Sequence, residues 1–526
     1  MIKKFSSLIQ CFRMLSKKGS LNASALIYPD KTGIENRKLI LIQIDGLSHK
    51  QLCQAIENDE MPFVKNMILK KRYKISSFYS GLPSSTPSVQ AELMYGVRCV
   101  VPSFGFYDRN KKEFVSMLYP KIVNEITKEL ERNNEGLLRG GCAYADDFIG
   151  GAEKSLFCVG RSGFYWKWIK KHPLGILLVA VIHIGIFAKI VLLLVAELLL
   201  SIVSLINGII NNENLIMEIS FIPARVGICV LLRELIVAGV GRDIQNGYSI
   251  IHCNFNGYDE QAHRRGPSSR FAHWTLKGID SAVRRISDNA EKFGCKQYNI
   301  WIYSDHGQEK TIPYHIENKR SIHDAVSDVF KCKIIKGYDQ PLDTAIVIRR
   351  FTFRLIENIK KKYQIKVKMG RSVFVSAMGP VGHIYISEKI TMSQKWNYAS
   401  KLVKNANIPT VLFLSDSNRV VGYTCKGACY LPENINEVIG TGHPFVKEIS
   451  EDLITLVAHH YSGEFVILGW RTDKLPLSFS MENGAHAGPG YEETHGFVLS
   501  DSDHSVFAQN YLRPQHLREA VLNYLE

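Results

Sequence analysis

Three short runs of almost unbroken apolar character set the frame for this chain: Lys38–Ile44 (KLILIQI), Ile250–Phe255 (IIHCNF) and Asn299–Tyr303 (NIWIY). Runs of this length without polar alternation read as strands covered on both faces. Helical stretches such as Ser268–Lys292 separate them, so the sequence predicts an α/β fold with much parallel pairing. Each run is soon followed by acidic or histidine residues. In open α/β sheets the chemistry collects beyond the carboxyl ends of the strands, and the polar residues of this chain sit there.

Composition narrows the classes without choosing a function. Of 526 residues, 46% are hydrophobic and 22% charged, which excludes a disordered, collagen-like or disulfide-framework chain. The net charge of +15 suits an anionic partner such as a phosphate ester or an acidic membrane surface. The charge would suit nucleic acid too, but the positive residues are dispersed and form no basic-aromatic module, so nucleic-acid binding is the weaker contender. Eleven cysteines without framework spacing read as free thiols in a reducing compartment.

Four regions follow from these patterns: a basic lead-in over 1–37, a catalytic α/β domain split into 38–172 and 246–526, and a helical insert over 173–245. A cap is expected within 342–445. The insert contains Leu174–Ile210, where His183, Lys189 and Glu197 are the ionisable residues. On a helix they and Ser201, Ser204 and Asn207 fall within an arc of about 120°, leaving a wide apolar surface. Such a helix would be about 55 Å long, against roughly 30 Å of bilayer hydrocarbon. Phe164–His172 (FYWKWIKKH) ahead of it has the aromatic and lysine content of a segment facing anionic lipid. The expectation is a membrane-associated protein touching lipid through 174–210; a soluble oligomer burying this helix is the alternative.

Four stretches carry candidate chemistry. Asp45-Gly46 closes the first strand, which by itself describes an ordinary turn. Pro83-Ser84-Ser85-Thr86-Pro87-Ser88 gathers hydroxyls before a helix, where helix capping is the ordinary use. Asp259 and His263 are four residues apart, with Arg264, Arg265 and Gly266-Pro267 beside them. Asp305-His306-Gly307 ends the strand NIWIY. Late in the chain come His486, within Gly484-Ala485-His486-Ala487-Gly488, and His495.

In this order and spacing the stretches resemble the alkaline phosphatase superfamily, in its type I phosphodiesterase/nucleotide pyrophosphatase branch. Gly96 follows Thr86 at the distance at which the family's glycine follows its nucleophile. The resemblance covers about 38–150 and 246–526. It implies a three-layer sandwich around a largely parallel sheet with helices on both faces, here with a long apolar helix inserted. It also implies two divalent ions, best suited to Zn²⁺ with Mn²⁺ as the alternative. Asp45, Thr86, Asp305 and His306 would hold one ion, and Asp259, His263 and His486 the other. Thr86 would be the nucleophile of a phosphodiester or pyrophosphate hydrolase, acting on a nucleotide or lipid head group through a phosphothreonine. Phosphomonoester hydrolysis and a non-catalytic metal-binding module are the alternatives.

Two departures from the family pattern stand out. Its late Gly-x-His-Gly is Gly484-Ala485-His486-Ala487 here, so His495-Gly496 competes for the role; the distance to Phe497-Val498-Leu499 favours His486. The family's asparagine three residues after the nucleophile is Val89. Because candidate ligands lie on both sides of the insert, one site requires both flanks in the same compartment. That favours a helix lying in the interface without crossing, and the lysines at its entry place the catalytic domain on the cytoplasmic side.

Overall fold

The structure is a computed structural model. It describes residues 37–70, 73–161, 226–293, 298–332, 335–336, 373–501, 507 and 509–526, with eight isolated positions between 191 and 206.

The apolar runs form the middle of a seven-stranded sheet. Its strands are β1 (Lys38–Ile44), β2 (Lys74–Tyr79), β3 (Cys142–Tyr144), β4 (Lys154–Leu156), β5 (Ile250–Phe255), β6 (Tyr298–Tyr303) and β14 (His495–Ser500). Their spatial order is β2-β14-β6-β1-β5-β3-β4. Strands β6, β1, β5, β3 and β4 run parallel, and β14 pairs antiparallel with both β6 and the edge strand β2.

Alternation along β1 decides the layers. Ile40, Ile42 and Ile44 point into one core with α1 (His49–Glu57), α3 (Arg233–Asn246) and α5 (Arg270–Phe293). Leu39 and Leu41 point into a second core with α2 (Thr86–Tyr95) and α6 (Pro514–Leu525). These five β1 side chains are fully buried, each contributing roughly 1.5–3 kcal/mol. A sheet buried on both faces needs no polar alternation, which is why these runs are legible as strands.

A second seven-stranded sheet follows, from β7 (Ile335–Lys336), β8 (Val373–Met378), β9 (Val381–Ile386), β10 (Thr410–Leu414), β11 (Val420–Thr424), β12 (Gly427–Tyr430) and β13 (Phe465–Leu468). Its order is β7-β8-β9-β13-β10-β11-β12, and all pairs but β7–β8 are antiparallel. The turn between β8 and β9 reaches the main site. Gly379 there has φ +57°, and a side chain on it would begin 2.4 Å from the His486 carbonyl oxygen.

The long apolar helix expected over Leu174–Ile210 falls mostly outside the described residues, as does the basic lead-in 1–36. The eight described positions are helical, and Leu192 and Leu199 among them are 70% and 60% exposed. Among the described residues no helix is long and apolar enough to cross a membrane, so this part of the expected architecture lacks support. The described end of the insert belongs to the catalytic core: Ile228, Leu232, Ile236 and Val240 pack under α5. Arg233 and Glu234 are buried there, and Arg285 grips both oxygens of Glu234 at 2.7 and 2.8 Å. An ion pair against a neighbouring helix accommodates these charges. The nine described cysteines form no disulfide.

Candidate active site

Strand register builds the site. Gln43 of β1 lies opposite Asn254 of β5 and Tyr303 of β6, so the residues just past each strand emerge at one level. Asp45 follows β1, Asn256 and helix α4 (Gly257–Arg265) follow β5, and Asp305-His306 follow β6. Thr86 is the first residue of α2. Asp259 and His263, one turn apart on α4, approach to 3.3 Å between Oδ2 and Nε2. His486 comes from the loop after the short strand Gly484–Ala485, which pairs with Glu309–Lys310.

The contacts are close. Thr86 Oγ1 lies 3.2 Å from Asp45 Oδ1 and 3.2 Å from His306 Nε2. Asn254 and Asn256 donate to Asp45 Oδ2 at 2.9 and 2.5 Å, which fixes the carboxylate and leaves Oδ1 facing Thr86. Gln308 donates to Asp259 Oδ1 at 2.5 Å. Gly46 has φ +72°, and a Cβ on it would stand 2.5 Å from Asp259 Oδ1, so the Asp-Gly pair is more than punctuation: only glycine lets α4 come this near.

The three histidines share one arrangement. Nδ1 of His263 donates to the Gly484 carbonyl at 3.0 Å, Nδ1 of His306 to Gly307 at 2.9 Å, and Nδ1 of His486 to Ser84 at 2.8 Å. A carbonyl only accepts, so Nδ1 carries a proton and Nε2 is the nitrogen left to face a metal ion. Those Nε2 atoms lie 3.3 Å from Asp259, 3.3 Å from Asp305 and 3.9 Å from Asp259, respectively. This is how proteins present histidine to a metal ion.

Electrostatics points the same way. Burial raises the Asp45 carboxyl well above its ordinary value, and Asp305 and Asp259 raise it further. Burial also raises Asp305, with His306 opposing and Asp259 adding to the rise. For Asp259 burial acts upward, but His263, His486 and His306 pull it below the usual carboxylate range. Burial, then His306, holds His486 well below its ordinary value, in the neutral form that ligation requires. Asp305 Oδ2 is buried without a hydrogen-bond partner. Three buried carboxylates converging with three histidines fit divalent cations. Ligand atoms of Asp259, His263 and His486, and again of Asp45, Asp259 and His306, lie within 4.8 Å of one another.

Seven of the eight expected residues therefore meet: Asp45, Thr86, Asp259, His263, Asp305, His306 and His486. His495 does not. It begins β14 opposite Tyr79, bonds Ser77 Oγ through Nε2 at 2.8 Å and stacks on His49 at 4.9 Å. Arg264 and Arg265 do not line the cavity at Thr86.

Several contributors carried no sequence signal of their own. Asn254 and Asn256 looked like part of a strand and its turn, although alternate polar residues at the end of a buried strand are a usable sign. Glu493 is fully buried and accepts from Gly488 N and Gly490 N, both at 2.7 Å, and from Ser84 Oγ at 3.5 Å. Burial and then Glu309 push its carboxyl up to about 8. It ties the loop carrying His486 to the loop carrying Thr86.

Residues 234–435 match the family model described as type I phosphodiesterase / nucleotide pyrophosphatase. The chain is an enzyme, a hydrolase of this class. No curated protein matches it. Similar solved structures include phosphonoacetate hydrolase from Sinorhizobium meliloti 1021 with phosphonoacetate, at 12% identity and TM-score 0.47, covering 93% of this chain and 96% of that one. Another is human ectonucleotide pyrophosphatase / phosphodiesterase 5, at 10% identity and TM-score 0.45, covering 93% and 95%. The murine form of that protein in complex with AMP is 9% identical, at TM-score 0.45 and the same coverage.

Proposed function

We propose that this enzyme hydrolyses a phosphodiester or pyrophosphate bond with two divalent ions, Zn²⁺ or Mn²⁺, and Thr86 as nucleophile. The observation that carries this reading is the set of three histidines with Nδ1 fixed on backbone carbonyls and Nε2 turned toward carboxylates. Asp45, Thr86, Asp305 and His306 would hold one ion, and Asp259, His263 and His486 the other. Bound there, the ions would neutralise phosphoryl charge and ease ionisation of a hydroxyl. Asp45, braced by Asn254 and Asn256, orients the Thr86 hydroxyl through its hydrogen bond. Thr86 Oγ1 forms a bond to phosphorus as the ester oxygen leaves, and water then cleaves the phosphothreonine.

Charge favours a diester over a monoester. Among the described residues lining the cavity are Asp147, Glu260 and Glu482 besides the ligand carboxylates, and no lysine or arginine. A monoester dianion brings one more negative charge into that ring than a diester monoanion. Assayed with Zn²⁺ or Mn²⁺, kcat/KM for bis-p-nitrophenyl phosphate should exceed that for p-nitrophenyl phosphate by roughly 10-fold or more, about 1.4 kcal/mol in the barrier. The reverse preference would make the enzyme a monoesterase.

A further inference from the structure

Resting on that proposed reaction, we infer that the Ser85 hydroxyl is the protein's hydrogen-bond donor to the non-bridging phosphoryl oxygen. Stabilisation of that oxygen is the part of the chemistry left without a residue. Position 89, three residues beyond Thr86, is Val89, wholly buried in the core on the α2 face. The cavity at Thr86 has no lysine or arginine among its described lining residues.

Besides Thr86 and the histidines, whose Nδ1 protons go to the Gly484 and Ser84 carbonyls, three neutral side chains can donate from that lining: Ser85, Ser103 and Asn256. Ser103 Oγ donates to the Gly105 carbonyl, and Asn256 donates to Asp45. Ser85 is different. It holds the N-cap position of α2, with φ −144° and ψ 146°, and its carbonyl accepts the helical bond from Val89 N at 3.0 Å. Yet its side chain makes no capping bond. The hydroxyl is buried, at 2% exposure for the residue, and has no hydrogen-bond partner.

An unpaired buried hydroxyl is a cost to folding that an alanine would avoid. The ordinary use of a serine at this position, capping the helix, is not realised here. What remains is its place: next to Thr86, on the wall of the reaction cavity. A donor that is unpaired in the free enzyme, and is satisfied by the oxygen on which charge builds during attack, stabilises the transition state more than the bound substrate.

The test compares Ser85→Ala and Ser85→Cys with the wild-type full chain on bis-p-nitrophenyl phosphate. In the same preparations metal content, melting temperature and the position of phosphate in acid-quenched turnover mixtures are measured. Both variants should lose on the order of 10–100-fold in kcat, with KM changed less than about 3-fold. Metal content should be unchanged, Ser85→Ala should melt no lower than wild type, and trapped phosphate should stay on Thr86. Unchanged kcat overturns the inference and leaves the proposed reaction standing. A loss of kcat that follows loss of metal or of melting temperature also overturns it, because the role is then structural. Phosphate found on Ser85 overturns it by making that residue the nucleophile. A wild-type enzyme that cleaves no diester at all overturns the underlying reaction instead.

Discussion

Thr86→Ala is expected to keep most of its metal through Asp45, Asp305 and His306 and to lose diester hydrolysis by at least about 10⁴-fold, more than 5 kcal/mol in the barrier. The substitution removes one hydroxyl and its bond to Asp45, a change worth about 1 kcal/mol to stability, so the fold should survive. Neighbouring hydroxyls are not placed to take over. Ser84 Oγ donates to the Gly488 carbonyl at 3.0 Å and accepts from Ala487 N at 3.0 Å. Neither it nor Ser85 bonds Asp45 or His306, whereas Thr86 Oγ1 lies at hydrogen-bond distance from both. Steady-state assays beside elemental analysis read the result. Wild-type turnover in Thr86→Ala would show that Thr86 is not the nucleophile.

The second large effect concerns Asp259. One of its oxygens lies with His263 and His486, and it also lies with Asp45 and His306. His263, by contrast, belongs to the first of these groups alone. His263→Ala should therefore lose one ion and keep the other, whereas Asp259→Ala should weaken both and lose activity by at least about 10³-fold. Elemental analysis after gel filtration separates the two variants. Equal metal content in wild type, His263→Ala and Asp259→Ala would show that these residues ligate nothing.

Much of this site was legible because strand ends and helical spacing are sequence properties. A buried strand shows as an apolar run, and Asp45 and Asp305-His306 stand where such runs stop. Asp259 and His263 sit one helical turn apart, and the distance of His486 from Phe497-Val498-Leu499 favoured it over His495. The features that orient these groups were hidden. Each histidine is fixed by a backbone carbonyl, and a carbonyl has no residue identity to read. Ser85 looks like any N-cap serine until its missing partner is seen. The closeness of Asp259 to Gly46 depends on two segments more than 200 positions apart. The hydropathy of Leu174–Ile210 suggests membrane contact but does not say what covers an apolar helix, and the described end of the insert, from Ile228 to Val240, is buried in the α/β core.

If carboxylates and histidines hold the ions, phosphodiester cleavage depends on bound metal. The most direct measurement is hydrolysis of bis-p-nitrophenyl phosphate by one preparation as purified, after exhaustive chelation, and after reloading with Zn²⁺ or Mn²⁺. The expected result is a loss of at least about 100-fold on chelation, recovered near two equivalents of metal per chain. Full activity in protein shown to be metal-free, or no activity after two ions are restored, would contradict it.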